Sequence, residues 1–487
     1  MTDSARQTAN HWGPKSPTFA EGVDVPSYND LQRLHVADAM AMMPQHVERL
    51  GWPAERLAAH RRDALRLLVG TAQIRSPWHR RRLAGVDPDR LELEGLAALP
   101  VMTKDDLMAN FDDIVTAPEL RLDVLETHLE GLTEDAYLFD RYHVIASGGS
   151  SGRRGVFVYD WDEWTLFYVG IARYELWQQQ IEQDKYPGPL VMAAVAAGRA
   201  SHASKAMFQT FSSPDQVIRP LPVTLPIAEI VDGLNQIQPD VLMSYPSALL
   251  GLASEAAAGR LRISPRRIRV GAEPLLPEIR EAAEETWGVP VLNSYGASEA
   301  GGMAISCDHG PGLHLVEDLT IVEAVDDAGR PVGPGERSAK LYVTNLYNTT
   351  LPLIRYELTD EVTLTGEPCP CGSAHRVISD PHGRLDDTFR YGDLDVHPLV
   401  FRSPLGLRRH IVEYQVHQTS QGADIALCCT GPVDLGILRA ELVGKLAAVG
   451  LADAEVTLTP VDHLDRQDTG KLKRFIPLKP ALAALPA

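Results

Sequence analysis

The sequence lacks the marks of several protein classes. It has no long basic run, and its 46 Lys and Arg are outnumbered by 65 Asp and Glu, a formal net charge of −19. Such a chain repels a phosphate backbone and an anionic bilayer surface, which argues against nucleic-acid and membrane partners. No apolar run approaches a bilayer span; the longest, near LVMAAVAAG at 190–198, is about half the required length. The first thirty residues are polar and Pro-punctuated, without the apolar core of a signal peptide, so a cytoplasmic protein is expected. Only 6% of residues are aromatic, and the 38 Gly and 35 Pro are dispersed, the profile of a loop-rich globular enzyme. The five cysteines, Cys307, Cys369, Cys371, Cys428 and Cys429, are odd in number, which argues against a disulfide framework. No repeat at a solenoid period is visible.

At 487 residues the chain has room for one large α/β body plus an appendage. From about 30 to 115 apolar residues recur at three- and four-residue spacing, which predicts a helical lead-in. From about 140 to 345 short apolar runs (VFVYD, PLVMAAVA, VLMSY, IRVGAE, VPVLNSY, KLYVTN) alternate with helical segments, which predicts a mostly parallel sheet covered by helices. After 380–398 the character changes to alternating strands around one helix whose Leu435, Leu438, Leu442 and Leu446 share a face. The expected fold is α/β, with an N-terminal domain over 1–385 and a small α+β domain over 386–487, the boundary falling near Asp386.

The segment Ser147-Gly148-Gly149-Ser150-Ser151-Gly152-Arg153-Arg154-Gly155 combines three kinds of group suited to a triphosphate. Glycines let backbone N–H groups turn toward an anion, hydroxyls add donors, and arginines add charge. It lacks the Gly-Lys-Ser/Thr ending of a Walker A loop, and taken alone it reads equally well as a flexible connection.

Further motifs follow in the order found in adenylate-forming enzymes, and with them the chain resembles the phenylacetate-CoA ligase branch of that superfamily. The Ser/Gly loop resembles the family's phosphate loop. Gly271-Ala272-Glu273-Pro274 resembles the segment flanking the adenine, and Ser294-Tyr295-Gly296-Ala297-Ser298-Glu299 the segment in which the aromatic lines the nucleotide, the hydroxyl touches phosphate and the glutamate holds Mg²⁺. Arg355-Tyr356-Glu357-Leu358-Thr359-Asp360 resembles the segment whose aspartate bonds the ribose. Gly383-Arg384-Leu385-Asp386 resembles the hinge, and Gly470-Lys471-Leu472-Lys473 the catalytic-lysine motif. Each piece has a plainer alternative: Tyr295 as core, Asp360 as a cap or turn residue, Lys471 as a solvated charge. Six in order over more than three hundred residues resist coincidence. The resemblance implies ATP and Mg²⁺, a mobile C-terminal domain, a carboxylic acid of aryl or arylacetic type, and a homodimer as a common state. Ala197, Arg199 and His202, with Tyr245 and Ala297, are candidates to line the acid's pocket.

Cys307, His314, Cys369 and Cys371 supply three thiols and one imidazole, enough for a closed tetrahedral zinc site with a structural role. The same elements occur in many members of the phenylacetate-CoA ligase branch. His309 and His375 are rival ligands, and unrelated buried thiols are the plain alternative. Cys428 and Cys429, neighbours on a strand, point to opposite faces and pair poorly.

Two departures from the family pattern stand out. Glu357 replaces an arginine, and after the hinge the family's Arg-Gly becomes Gly392-Asp393. That glycine borders the pantetheine passage in the superfamily, so a carboxylate there sets an amine against CoA as the acceptor. The competing classes are a nucleotide-binding module without catalysis and a zinc hydrolase; the latter lacks both an open coordination position and a His-Glu-x-x-His segment.

Overall fold

In the computed structural model the described residues are 26–147, 155–182, 190–196, 201–212, 216–223, 225–310, 312–381, 383–384, 389–392, 394–396, 398–406, 408, 410–429, 431–466 and 472–478. The apolar runs assemble an eight-stranded sheet. In chain order its strands are Leu190–Ala196 (β1), Gln216–Pro222 (β2), Val241–Ser244 (β3), Arg267–Gly271 (β4), Val291–Ala297 (β5), Gly301–Ser306 (β6), Leu313–Leu315 (β7) and Val377–Ile378 (β8). They lie in the order β8-β7-β6-β5-β4-β3-β1-β2. From β2 to β5 every pairing is parallel, and β6, β7 and β8 add on antiparallel.

Strand periodicity divides the apolar side chains between two cores. Met192 and Ala194 of β1 join the larger cluster, which holds Trp164, Phe167 and Tyr168 of the helix Trp161–Glu182 (α1). Ala193 and Val195 join the other, with Leu249 and Leu252 of the helix Pro246–Ala257 (α2) and Ile279 and Ala283 of Pro277–Trp287 (α3). Residues i and i+1 of a strand face opposite sides, so the sheet is buried on both faces, as parallel sheets are. α2 and α3 are the crossovers that parallel neighbours require. The edge strand β2 carries Pro220 and Pro222, residues of the same parity that donate no ladder hydrogen bond.

Two predicted members of the parallel series lie elsewhere. Val156–Tyr159 pairs antiparallel with His143–Ala146, because the short Ser/Gly connection cannot make a crossover. Lys340–Asn345 is the middle of an antiparallel three-stranded sheet between Thr320–Val325 and Tyr356–Leu358.

The helical lead-in docks through Ala64, Leu65, Leu68 and Ala72 against Ile321, Leu346 and Ile354. Beneath it Arg173 of α1 grips Asp318 through two 2.7 Å hydrogen bonds, both side chains fully buried. The opposed charges hold each other ionised, and Arg173 keeps the Asp318 carboxyl far below the usual carboxylate range despite burial.

The C-terminal residues form a separate core. Ile411–Gln418, Gly422–Cys429, Glu455–Pro460 and Phe475–Ile476 make a four-stranded sheet. Leu438, Leu442 and Leu446 of the helix Leu435–Ala448 pack on it with Phe389, Phe401 and Phe475. The expected boundary at Asp386 lies outside the described residues. No helix among the described residues is long and apolar enough to cross a membrane.

Candidate active site

The C-terminal ends of β3, β4 and β5 carry, side by side, Tyr245, the segment 271–274, and Ser294 through Ala297. In open α/β sheets this edge is where ligands bind. Close backbone approach shapes it: a Cβ on Gly271 would lie 2.7 Å from both the carbonyl oxygen and Oγ of Ser294. The Ser294 hydroxyl donates to the Val270 carbonyl at 2.8 Å, fixing that approach. Ala272 follows with φ +66°, a left-handed conformation costly for a residue with a Cβ.

Tyr295 donates its hydroxyl to Asp360 Oδ2 at 2.9 Å, joining two motifs 65 residues apart. Asp360 is buried and opens the two-residue strand Asp360–Glu361, paired so that Asp360 lies opposite Arg384. Its neighbour Glu361 is bound by Arg337. Glu299 is also buried, in the turn between β5 and β6. That turn is held through its backbone: the Ser298 carbonyl accepts the Tyr159 hydroxyl at 2.6 Å, and the Glu299 carbonyl accepts Asn345 Nδ2 at 3.1 Å. Burial, with Tyr347 and Glu299 nearby, drives the Tyr159 phenol well above its ordinary pKa, so it remains a donor.

Tyr159 belongs to the hairpin that carries the Ser/Gly loop. Ser147 closes the neck of that loop: its N–H donates to the Gly155 carbonyl and its Oγ accepts the Gly155 N–H, both at 2.9 Å. Lys104 Nζ lies 3.4 Å from the same Oγ. Sequence reasoning missed this lysine, because Thr103, Lys104 and Asp106 read as an ordinary helix start and do form a capping box.

The far segment reaches the same edge. Leu472, next to Lys471, donates its N–H to Glu273 Oε1 at 3.1 Å. His202 precedes the helix Ala203–Thr210 and is half-buried, as is Ala297, whereas Tyr245 is buried. Gly148, Gly149, Ser150, Ser151, Gly152, Arg153, Ala197, Arg199, Asp386, Lys471 and the side chain of Arg384 lie outside the described residues. A cavity of about 510 Å³ between Tyr28, Asp135, Lys205, Phe208 and Ile218 includes none of the candidate residues in its lining.

The structure bears on Glu357 and Gly392, whereas Asp393 lies outside the described residues. Glu357 accepts from Lys340 Nζ at 2.8 Å on the adjacent strand, a self-contained ion pair. Gly392 has φ +63° between the paired strands Phe389–Tyr391 and Leu394–Val396, where a two-residue hairpin turn requires it.

The four metal-ligand candidates converge. Sγ of Cys307, Cys369 and Cys371 and a ring nitrogen of His314 all lie within 4.8 Å of one another. Cys307 Sγ is 3.5 Å from Cys369 Sγ, and Cys371 Sγ is 3.4 Å from His314 Nε2. Donors around a tetrahedral zinc stand ~3.8 Å apart, near the two separations given, so the donor set is of the kind that ion takes. His314 Nδ1 lies 3.2 Å from the His375 carbonyl, the outer contact that leaves Nε2 to face the thiols. The rival His375 is committed elsewhere: its Nδ1 lies 2.9 Å from the Leu315 carbonyl, and its Nε2 3.4 Å from that of Arg49. His309 is not among the converging groups. Cys307 follows β6, His314 is on β7, and Cys369 and Cys371 precede β8, so the cluster gathers at the antiparallel edge of the sheet.

No family model matches the chain. A phenylacetate-coenzyme A ligase of Thermus thermophilus is 26% identical over 463 residues, covering 88% of this chain and 98% of that protein. One from Pseudomonas putida is 25% identical over 405 residues, covering 80% and 83%. These relatives make the chain similar to the phenylacetate-CoA ligase-like branch of the adenylate-forming enzymes. Among solved structures the chain shares its fold with a 2-hydroxyisobutyryl-CoA ligase at 21% identity. In the postadenylation state with a bound acyl-AMP that enzyme gives a TM-score of 0.68, over 88% of this chain and 91% of that one. In the thioesterification state with CoA the TM-score is 0.56.

Proposed function

We propose that this chain activates a carboxylic acid with ATP to an acyl adenylate and then passes the acyl group to CoA. One convergence supports the reading above all. The Tyr295–Asp360 pair, buried Glu299, and the Glu273–Leu472 contact beside Lys471 meet at the C-terminal edge of one parallel sheet.

In the first step a carboxylate oxygen bonds to the α-phosphorus while the bond to pyrophosphate breaks. Two anions must approach, so the site's work is fixed geometry and positive charge. Asp360 accepts from the ribose hydroxyls, and Tyr295 both orients that carboxylate and lines the base beside Gly271–Pro274. The N–H groups of Ser147–Gly155, Ser298 and Arg384 receive phosphate, and Lys471 meets the charge growing on the α-phosphate. Mg²⁺ held by Glu299 would neutralise phosphate charge when bound. In the second step the CoA thiol attacks the acyl carbon and AMP leaves, for which the small domain carrying Lys471 turns about Asp386. The acid is of aryl or arylacetic type, received near Tyr245, Ala297, His202, Ala197 and Arg199, in keeping with the names of the relatives. Cys307, His314, Cys369 and Cys371 hold a structural zinc.

The test is acid-dependent exchange of labelled pyrophosphate into ATP over aryl, arylacetic and aliphatic acids, then mass spectrometry with CoA or amines added. Exchange with an arylacetic acid and a CoA thioester product is expected. An amide product would assign an amine acceptor instead, and ATP binding without any exchange would leave a nucleotide-binding module.

A further inference from the structure

Glu273 lies in the segment whose resemblance marks it as an adenine neighbour, yet its carboxylate is engaged by two backbone donors from distant parts of the chain. Oε2 accepts the Ser247 N–H at 3.0 Å, and Oε1 accepts the Leu472 N–H at 3.1 Å. Ser247 is the second residue of α2, whose preceding Tyr245 makes no side-chain cap. Glu273 therefore serves as the missing cap, at the helix end where a negative charge is favoured. The strained φ of Ala272 delivers it there. The other oxygen reaches the small domain one residue past Lys471.

Companion contacts surround this point. Arg466 of the small domain lies 3.5 Å from Ser247 Oγ and binds Glu413 of the strand Ile411–Gln418, which packs against α2. The Arg474 guanidinium sits 5.0 Å from the Tyr414 ring centre, with Glu273 and Glu413 supplying the opposing charge.

We infer that Glu273 is a positioning residue: a latch that clamps the small domain at Leu472 onto the N-cap of α2 for the adenylation step and must release it for the transfer step. The inference deepens the proposed two-step reaction and rests on it for its kinetic consequence, not for its structural one. A glutamine is isosteric but offers one acceptor oxygen to two donors, so it can satisfy the cap or Leu472 and not both.

The experiment uses the full chain with Glu273→Gln, and Glu273→Asp as a second, shorter carboxylate. Residue-resolved hydrogen exchange should show the Leu472 amide exchanging about tenfold faster or more in both, with strand Gly422–Cys429 unchanged. Pyrophosphate exchange should fall about tenfold to a hundredfold in kcat, with KM for ATP within about twofold of the parent. Acyl transfer from preformed adenylate should be undiminished, a split that a merely structural role would not produce. Unaltered Leu472 exchange overturns the latch, as does a raised KM for ATP at constant kcat, which would make Glu273 a nucleotide contact. If the parent exchanges pyrophosphate with no acid, the proposed reaction fails while the Leu472 amide still decides the latch.

Discussion

Tyr295→Phe removes one oxygen and little else. The ring stays, so stacking against a base is preserved, and the 2.9 Å bond to Asp360 Oδ2 is lost. A hydrogen bond to an ionised acceptor is worth about 1.5–3 kcal/mol, and tenfold in an equilibrium constant corresponds to about 1.4 kcal/mol. If the bond orients Asp360 for the ribose, KM for ATP should rise between about tenfold and a hundredfold. The carboxylate is remote from the α-phosphorus, so kcat should change little. Tyr295 is only half-buried, so unfolding should shift by less than ~1 kcal/mol. The assay is pyrophosphate exchange titrated in ATP at saturating acid, with a thermal melt alongside. A change in KM below about twofold at unaltered stability would refute the orienting role.

Other expectations concern the scaffold. Asp318→Ala strands the buried Arg173 charge and should cost ~3–5 kcal/mol in denaturant unfolding. Cys371→Ser should reduce bound zinc, measured by elemental analysis, from one ion per chain toward zero; an unchanged zinc content would place the metal elsewhere. Burial and the Asp160, Glu163 and Asp38 charges push Asp162 up to about 7. A carboxyl raised in the folded state binds its proton more tightly there, so its cost to stability grows as pH climbs from about 4 through 7. Asp162→Asn should therefore be neutral near pH 4 and stabilise by ~1–2 kcal/mol at pH 8, as equilibrium melts at the two pH values would show.

Much of this architecture is legible from periodicity. The crossovers α2 and α3 alternate with β3, β4 and β5 as the pattern predicts, and three of the four leucines expected on one face of Leu435–Ala448 are buried. α1 escaped notice because Trp161, Trp164, Phe167, Tyr168 and Val169 leave no polar side to set a period; it is buried nearly all round. The hairpin of Val156–Tyr159 and the pairing of Lys340–Asn345 depend on partners, which a strand's own residues do not specify. At the site, the motifs identify Tyr295 and Asp360 separately, but only the fold puts one on the other. The same holds for Glu273 and Leu472, 199 residues apart. The sequence offered His314 with the three thiols and His309 and His375 as rivals, and in the fold His314 is the imidazole that converges on them.

The two ends of the large sheet bear on how the chain behaves when crowded. An open sheet margin is a template for a second chain, the route to fibrils and to swapped dimers. Here one margin, the two-residue β8, is already covered by residues 363–365, with the Thr365 N–H donating to the Val377 carbonyl and the Thr363 carbonyl accepting the Ser379 N–H, and the other is β2 with prolines at 220 and 222. Because both prolines have one parity and cannot donate inward, their missing N–H groups fall on the open side. A recruited strand would find one margin occupied and gaps in its ladder at the other. Neither margin of the large sheet therefore offers a continuous ladder to a second copy.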